Sequence, residues 1–306
     1  MKLATFVNQQ GKPAVGVVDT ARDAVLDITS EFPDMLALID AGPAGLDKAR
    51  ALAAKWPSEA SRSLKGTTLL SPLPEPRQMR DCLVFEAHLL NSRSQAEKRT
   101  GQPQPPVAPV WYEQPVYYKG NRFSVVGHEH DVMWPAYSNH MDYECEMACV
   151  LGKTAKDIDP AKAMEHIFGF TIFNDFSARD AQYKEMAGRL GPAKSKGFDT
   201  GNVLGPWIVT TDEIGDPHNL KMDVRVNGER WGGGNSRDMH HKFPAILAFI
   251  SQSETLHAGE VIGSGTVGTG SSNELGKQIK HGDVVELEIE KIGILRNRVL
   301  RPNEGK

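Results

Sequence analysis

The chain of 306 residues has few of the features that mark secreted, membrane-embedded or nucleic-acid-binding proteins. It contains three cysteines, Cys82, Cys145 and Cys149, an odd number without metal-knuckle spacing. A disulfide framework is therefore not expected, and a reduced, cytoplasmic protein is. No apolar run approaches the roughly 18 residues that cross a bilayer. The N-terminus, MKLATFVNQQGKPAV, lacks the apolar core of a signal peptide. The 35 Lys and Arg against 39 Asp and Glu give a net charge of −4, which leaves no basic footprint. Neither a nucleic acid nor a membrane is expected as a partner. Internal repeats and low-complexity tracts are also missing. What remains, 40% apolar and 24% charged residues, is ordinary for a globular protein with a sizeable core.

Punctuation divides the chain. Residues 3–7 and 14–18 read as a hairpin turned at Gly11, and 24–28 as a third strand. A short helix carries Met35, Leu36, Leu38 and Ile39, a second spans 46–56, and 67–70 reads as another strand. Then SPLPEPRQ, residues 71–78, places three prolines in eight positions, a stiff connector. It sets the predicted boundary between a small N-terminal α+β domain, 1–70, and a second domain, 71–306. Beyond it, 91–104 is a polar helix suited to covering a site, and 110–119 an aromatic strand. The runs 139–151 and 168–174 read as buried strands, and Asn227-Gly228 as a hairpin turn. Gly232-Gly233-Gly234 reads as a flexible loop, and 243–252 as an apolar helix. Strands dominate and helices are short, so the fold class is α+β, rich in β, as a roll or sandwich.

Two of these strands carry carboxylates where a buried strand should not. Glu144 and Glu146 lie at i and i+2, hence on one face, and an unbroken apolar run follows them. Asp175 directly follows the second strand. A buried carboxylate costs several kcal/mol unless it is paired or bound to a metal. Glu-x-Glu alone also fits a solvated strand face. With a second acid-bearing strand, and Cys145 turned to the opposite face, the set points to a hard, oxygen-loving cation. Mg2+, Mn2+ or Ca2+ fit this, and a structural zinc does not.

Asp142-Tyr143-Glu144-Cys145-Glu146, then FGFTIFNDFSARD at 168–180, resembles the fumarylacetoacetate hydrolase superfamily. The likeness continues through KSKGFDTGNVLGPW, residues 194–207, and IGSGTVGTGSSNELG, residues 262–276. It covers about residues 80–299 and implies that family's mixed β-sandwich roll. It also implies that Glu144, Glu146 and Asp175 bind a divalent cation. In one branch a fourth acid lies seven residues before a catalytic histidine, and here Asp81 and His88 stand at that separation. The histidine serves as general base toward water, assisted by a carboxylate. Many smaller members carry that acid three residues later, where this chain has Asn91. Glu274 or Glu86 is left for the role, with Glu274 preferred. Lys196 matches the lysine beside the substrate oxyanion, with Lys194 as its rival. Gln182 and Thr266 match substrate-contacting positions, and Arg179-Asp180 is read as a structural ion pair. Leu83, Phe85, Val116, Tyr117, Tyr118, Tyr183 and Met186 are expected to wall the pocket.

The resemblance implies hydrolysis of a C–C bond in a β-diketone or acylpyruvate. His88 would activate water, with Mg2+ (or Mn2+ or Ca2+) and Lys196 stabilising the enolate. Hydration, dehydration or decarboxylation of a 2-keto acid is the alternative, and a non-catalytic metal-stabilised protein the third reading. The expected partner is a small 2-keto acid or β-diketone, and the expected assembly a homodimer.

Overall fold

Alternation of side chains decides how the central strand of the computed structural model is used. Cys145, Met147, Cys149 and Leu151 turn into one hydrophobic core, and Ala148 and Val150 into another. A strand covered on both faces reads as a continuous apolar run for this reason. The structure describes residues 1–302. Residues 303–306, the end of the predicted 71–306 unit, lie outside them.

In chain order, strands β1 (Lys2–Val7), β2 (Pro13–Asp19) and β3 (Ala24–Asp27) form a meander. Helices α1 (Met35–Asp40) and α2 (Gly42–Lys55) and strand β4 (Ser61–Ser63) follow. Next come β5 (Met79–Cys82), α3 (Glu86–Thr100), α4 (Pro109–Glu113) and β6 (Tyr117–Lys119). Three two-residue strands lead on: β7 (Val125–Val126), β8 (Val132–Met133) and β9 (Met141–Asp142). The long β10 (Cys145–Leu151) and β11 (Ile167–Asp175) precede β12 (Ser177–Ala178), α5 (Arg179–Ala187) and β13 (Asn202–Thr210). After α6 (Thr211–Ile214) come β14 (Lys221–Val226), β15 (Glu229–Asn235) and α7 (Phe243–Ile250). The chain closes with β16 (Val261–Gly263), β17 (Val284–Ile289) and β18 (Gly293–Leu300).

An eleven-stranded sheet runs β4-β3-β2-β1-β13-β11-β10-β16-β5-β6, with β7 beside β13. The N-terminal meander thus joins the sheet of the later strands through the antiparallel β1–β13 pair. A five-stranded sheet, β15-β14-β17-β18-β8, packs over one face. Between them Met147, Phe170 and Ile172 meet Met222, Val224, Leu287 and Leu295. Each such side chain contributes about 1.5–3 kcal/mol by leaving water. On the other face Ala148, Val150, Leu204 and Ile208 pack with Met35, Leu38 and Ile39 of α1. The class is α+β and sheet-rich, and the sheets are open.

Three expectations need correction. The segment 67–70 forms no regular strand, and Leu69 makes an isolated bridge to Phe6. The segment 110–119 is not one strand: Pro109–Glu113 is helix and only Tyr117–Lys119 is strand. Pro109 pre-sets the first helical turn, and the Trp111 indole N–H donates to the Leu83 carbonyl at 2.5 Å. That anchor overrides the strand propensity of the aromatics. Gly232-Gly233-Gly234 is no loop but part of β15. A Cβ on Gly232 would stand 2.0 Å from the Thr269 carbonyl oxygen, so close packing requires the glycine.

Candidate active site

Strand pairing brings the acids together. The parallel β5–β16 pair sets Asp81 opposite Gly263. The antiparallel β10–β11 pair sets Cys145 opposite Asn174, which brings Glu146 and Asp175 to the same patch. Carboxylate oxygens of Asp81, Glu146 and Asp175 lie within 4.8 Å of one another. All three side chains are buried. Gly263 is the floor: a Cβ there would stand 2.4 Å from Asp81 Oδ1 and 2.9 Å from Glu146 Oε2. The Gly265 N–H donates to Glu146 Oε2 at 3.0 Å and to Asp81 Oδ1 at 3.2 Å. The Thr266 hydroxyl donates to Glu146 Oε1 at 3.3 Å. Asp175 Oδ2 accepts from the Tyr118 hydroxyl at 2.7 Å and from Lys196, while its Oδ1 is buried with no hydrogen-bond partner among the described residues.

Burial and crowding act on these acids in the same direction. Burial pushes the Asp81 carboxyl up to about 8, with the charges of Asp175 and Glu144 adding to it. Burial, then Asp81, raises Glu146 well above the usual range, and burial raises Asp175 against the pull of Lys196. Three crowded oxygens, one of them orphaned, over a glycine floor fit a hard divalent cation. Asp81, Glu146 and Asp175 are the residues that would hold it.

Glu144 takes a different set of contacts. Its Oε1 lies 2.6 Å from Arg179 Nη2, and its Oε2 accepts from Lys196. Burial opposes its charge, but Arg179, Lys196 and His88 hold it ionised far below the ordinary range. Lys196 Nζ bridges Glu144 and Asp175 and donates to the Ser177 hydroxyl at 2.9 Å. Those two carboxylates keep the ammonium charged despite burial. Lys194 places its ammonium over the Tyr137 ring, 5.1 Å from the centroid. Arg179 does not pair with Asp180. It binds Asp142 at 2.6 Å and Glu144 at 2.6 Å, and donates to Gln182 Oε1 at 2.8 Å. Asp180 instead accepts from the Ser138 hydroxyl and the Asn139 N–H.

His88, at the start of α3, places Nδ1 2.7 Å from Glu274 Oε1 and Nε2 3.6 Å from Glu144 Oε1. Burial would lower its pKa, but Glu274 and Glu144 outweigh burial and raise it. Glu86 accepts from the Tyr112 hydroxyl at 2.5 Å at the surface. A cavity of about 500 Å³ collects Asp81, His88, Glu144, Glu146, Gln182, Lys196 and Thr266. Leu83, Val116, Tyr117, Tyr118, Tyr183 and Met186 wall it. Phe85 does not, because it is buried in the core.

Residues 84–300 match the family described as Fumarylacetoacetate (FAA) hydrolase C-terminal. The chain belongs to the fumarylacetoacetate hydrolase family. Among curated members it is 39% identical over 189 residues to the human mitochondrial oxaloacetate tautomerase FAHD2A. That match covers 61% of this chain and 60% of the human protein, less than two thirds of its length. The rat mitochondrial oxaloacetate tautomerase Fahd2a is 32% identical over 297 residues, covering 94% of this chain and 88% of the rat protein. Among solved structures, maleylpyruvate hydrolase from Sphingobium sp. SYK-6 in complex with manganese(II) and pyruvate superposes with a TM-score of 0.75 at 25% identity. That alignment covers 98% of this chain and 99% of the other.

One structural hub of this family member carries no sequence signal. Asp142 is fully buried, and its Oδ1 accepts from Ser272 N at 2.8 Å, Ser272 Oγ at 2.5 Å and Asn273 N at 3.3 Å. Its Oδ2 takes Arg179. It therefore fastens the turn that carries Glu274 to the cation that holds Glu144. The turn lies about 130 residues away and Arg179 37, and no local pattern announces either.

Proposed function

We propose that this family member is a divalent-cation-dependent hydrolase that cuts a C–C bond of an acylpyruvate-type 2-keto acid. The observation that carries the reading is the 2.7 Å His88–Glu274 pair, whose imidazole lines the same cavity as Asp81, Glu144 and Glu146. Asp81, Glu146 and Asp175 would hold the cation, and their all-oxygen set suits Mg2+. When bound, it supplies Lewis-acid polarisation of a carbonyl. His88 Nε2 takes a proton from water, while Glu274 accepts the Nδ1 hydrogen and stabilises the imidazolium. The hydroxide so formed adds to the carbonyl carbon. The C–C bond then breaks, and its electron pair goes to the departing keto-acid fragment as an enolate. The Lys196 ammonium stabilises that developing charge. The proton taken by His88 returns to the enolate carbon, which leaves a carboxylic acid and a 2-keto acid. Gln182 and Thr266 contact the substrate in this scheme. We further assign the protein to the cytoplasm as a homodimer, with residues 1–70 as a module appended to the catalytic unit.

The names of the human and rat relatives favour a second reading. In it His88 moves a proton between carbon and oxygen of a 2-keto dicarboxylate, and no water is consumed. Turnover of an acylpyruvate and of enol-oxaloacetate, each with Mg2+, with Mn2+ and with excess chelator, tests both. Cation-dependent release of two acids from the acylpyruvate supports hydrolysis. Cation-dependent loss of the enol absorbance without new acids supports tautomerisation. Turnover that survives the chelator would sink both.

A further inference from the structure

Helix α3 raises a question of attachment. It spans Glu86–Thr100, yet His88 is its one buried residue. Leu90 on the same helix is 50% exposed. A helix with so little apolar burial is not held by hydrophobic packing. What holds it is a polar stripe. His88, Asn91 and Gln95 stand at i, i+3 and i+7, hence on one side of the helix. All three meet one residue. His88 Nδ1 lies 2.7 Å from Glu274 Oε1, Asn91 Nδ2 donates to Glu274 Oε2 at 3.0 Å, and Gln95 Nε2 donates to the Glu274 carbonyl at 3.1 Å. Gly276 makes room for the stripe: a Cβ there would stand 3.0 Å from Gln95 Oε1.

We propose that Asn91 is a positioning residue for the His88–Glu274 pair, and that Gln95 is the clasp that docks α3 over the cavity. The proposal rests on the reading of His88 as the base. A glutamate's terminal torsion is broad and nearly two-fold, so it sets no orientation by itself. Here each oxygen has two partners: His88 and the Ser271 N–H on Oε1, Asn91 and the Thr269 N–H (2.7 Å) on Oε2. That set fixes the carboxylate plane against the imidazole. It also accounts for the amide at position 91. An acid there would stand about 3 Å from Glu274, and two such carboxylates cannot both ionise. Because the stripe that closes the lid also orients the base, an undocked α3 leaves His88 without its partner.

Asn91→Ala, Asn91→Gln, Asn91→Asp and Gln95→Ala are compared with the wild-type chain. For Asn91→Ala the expected result is a kcat at least about tenfold lower, with KM within about twofold and cation affinity unchanged. Asn91→Gln, which keeps the donor, recovers part of the loss, and Asn91→Asp is worse than Ala. Gln95→Ala speeds hydrogen exchange across residues 86–100. A substrate-free readout separates this proposal from the reaction assigned above. The downfield Nδ1 proton signal of His88 is present in wild type and broadened or lost in Asn91→Ala at unchanged melting temperature. An unaltered signal together with an unaltered kcat overturns the proposal. If wild type turns over no keto acid, the reaction assignment fails, and the proton signal alone decides the role of Asn91.

Discussion

Cation binding by this protein should be strongly pH-dependent, and the sign follows from the buried acids. Burial raises Asp81 to about 8, and burial and then Asp81 raise Glu146 well above the usual carboxylate range. Without a cation, Asp81 carries a proton between its unfolded value near 4 and about 8. That proton binds the folded state more tightly than the unfolded one. The contribution is fully present below pH 4 and is lost as pH rises through 8. A cation takes carboxylates without their protons, so its binding releases at least one. With a single proton released, the apparent affinity rises about tenfold per pH unit below 8. Between pH 6 and pH 8, with the slope levelling off as Asp81 becomes half ionised, the gain is about 50-fold, or about 2 kcal/mol. Titration calorimetry with Mg2+ or Mn2+ at pH 6, 7 and 8, in buffers of different ionisation enthalpy, measures both affinity and protons released. An affinity that is flat over this range, or binding with no proton release, would refute the argument that Asp81 and Glu146 are protonated ligands-in-waiting.

Asp175→Ala should abolish both cation binding and turnover, since it removes the orphaned Oδ1 and frees Lys196 from its bridge; retained activity on an acylpyruvate contradicts this. Gly263→Ala drives a methyl group into Asp81 and Glu146, and overpacking of about 1–3 kcal/mol should weaken the cation by about ten- to a hundredfold, read by calorimetry. Arg179→Met strips the buried charges of Asp142 and Glu144 of their partner and should cost about 3–5 kcal/mol in denaturant unfolding. Adding cation should slow hydrogen exchange across residues 81–100, because Asp81 and His88 share that segment; unchanged protection counts against the coupling.

How much of the site was legible depended on where each partner lies. Glu146 and Asp175 announced themselves because an acid in a core strand breaks a local rule of burial. The alternation that placed Glu144 and Glu146 on one face was a sound guide to direction. It gave no hint that Arg179 and Lys196, 35 and 52 residues later, would take up Glu144. Asp142 stands in the same motif, but its role depends on a distant turn, whose Ser272 and Asn273 N–H groups it accepts, and on Arg179. The N-terminal meander and the Asn227-Gly228 hairpin follow from local signals. The helix at Pro109–Glu113 does not, because its anchor is the Leu83 carbonyl rather than its own pattern. The glycines of β15 answer to contacts that no local pattern shows: the Thr269 carbonyl against Gly232, Met222 and Asp223 against Gly233, and Val267 against Gly234.

The parallel β5–β16 pair has a consequence for biogenesis. Asp81 meets the Gly265 N–H across 184 positions, and His88 meets Glu274 across 186. A growing polypeptide therefore presents Asp81, Glu146 and Asp175 well before the strand and turn that complete their site. Until β16 inserts, β10 has an open edge next to a row of repelling carboxylates. Closing so long a loop is slow in folding terms. Translation up to about residue 276 thus sets the earliest moment at which the cavity exists. Chains halted short of it expose an apolar strand edge of the kind that invites aggregation.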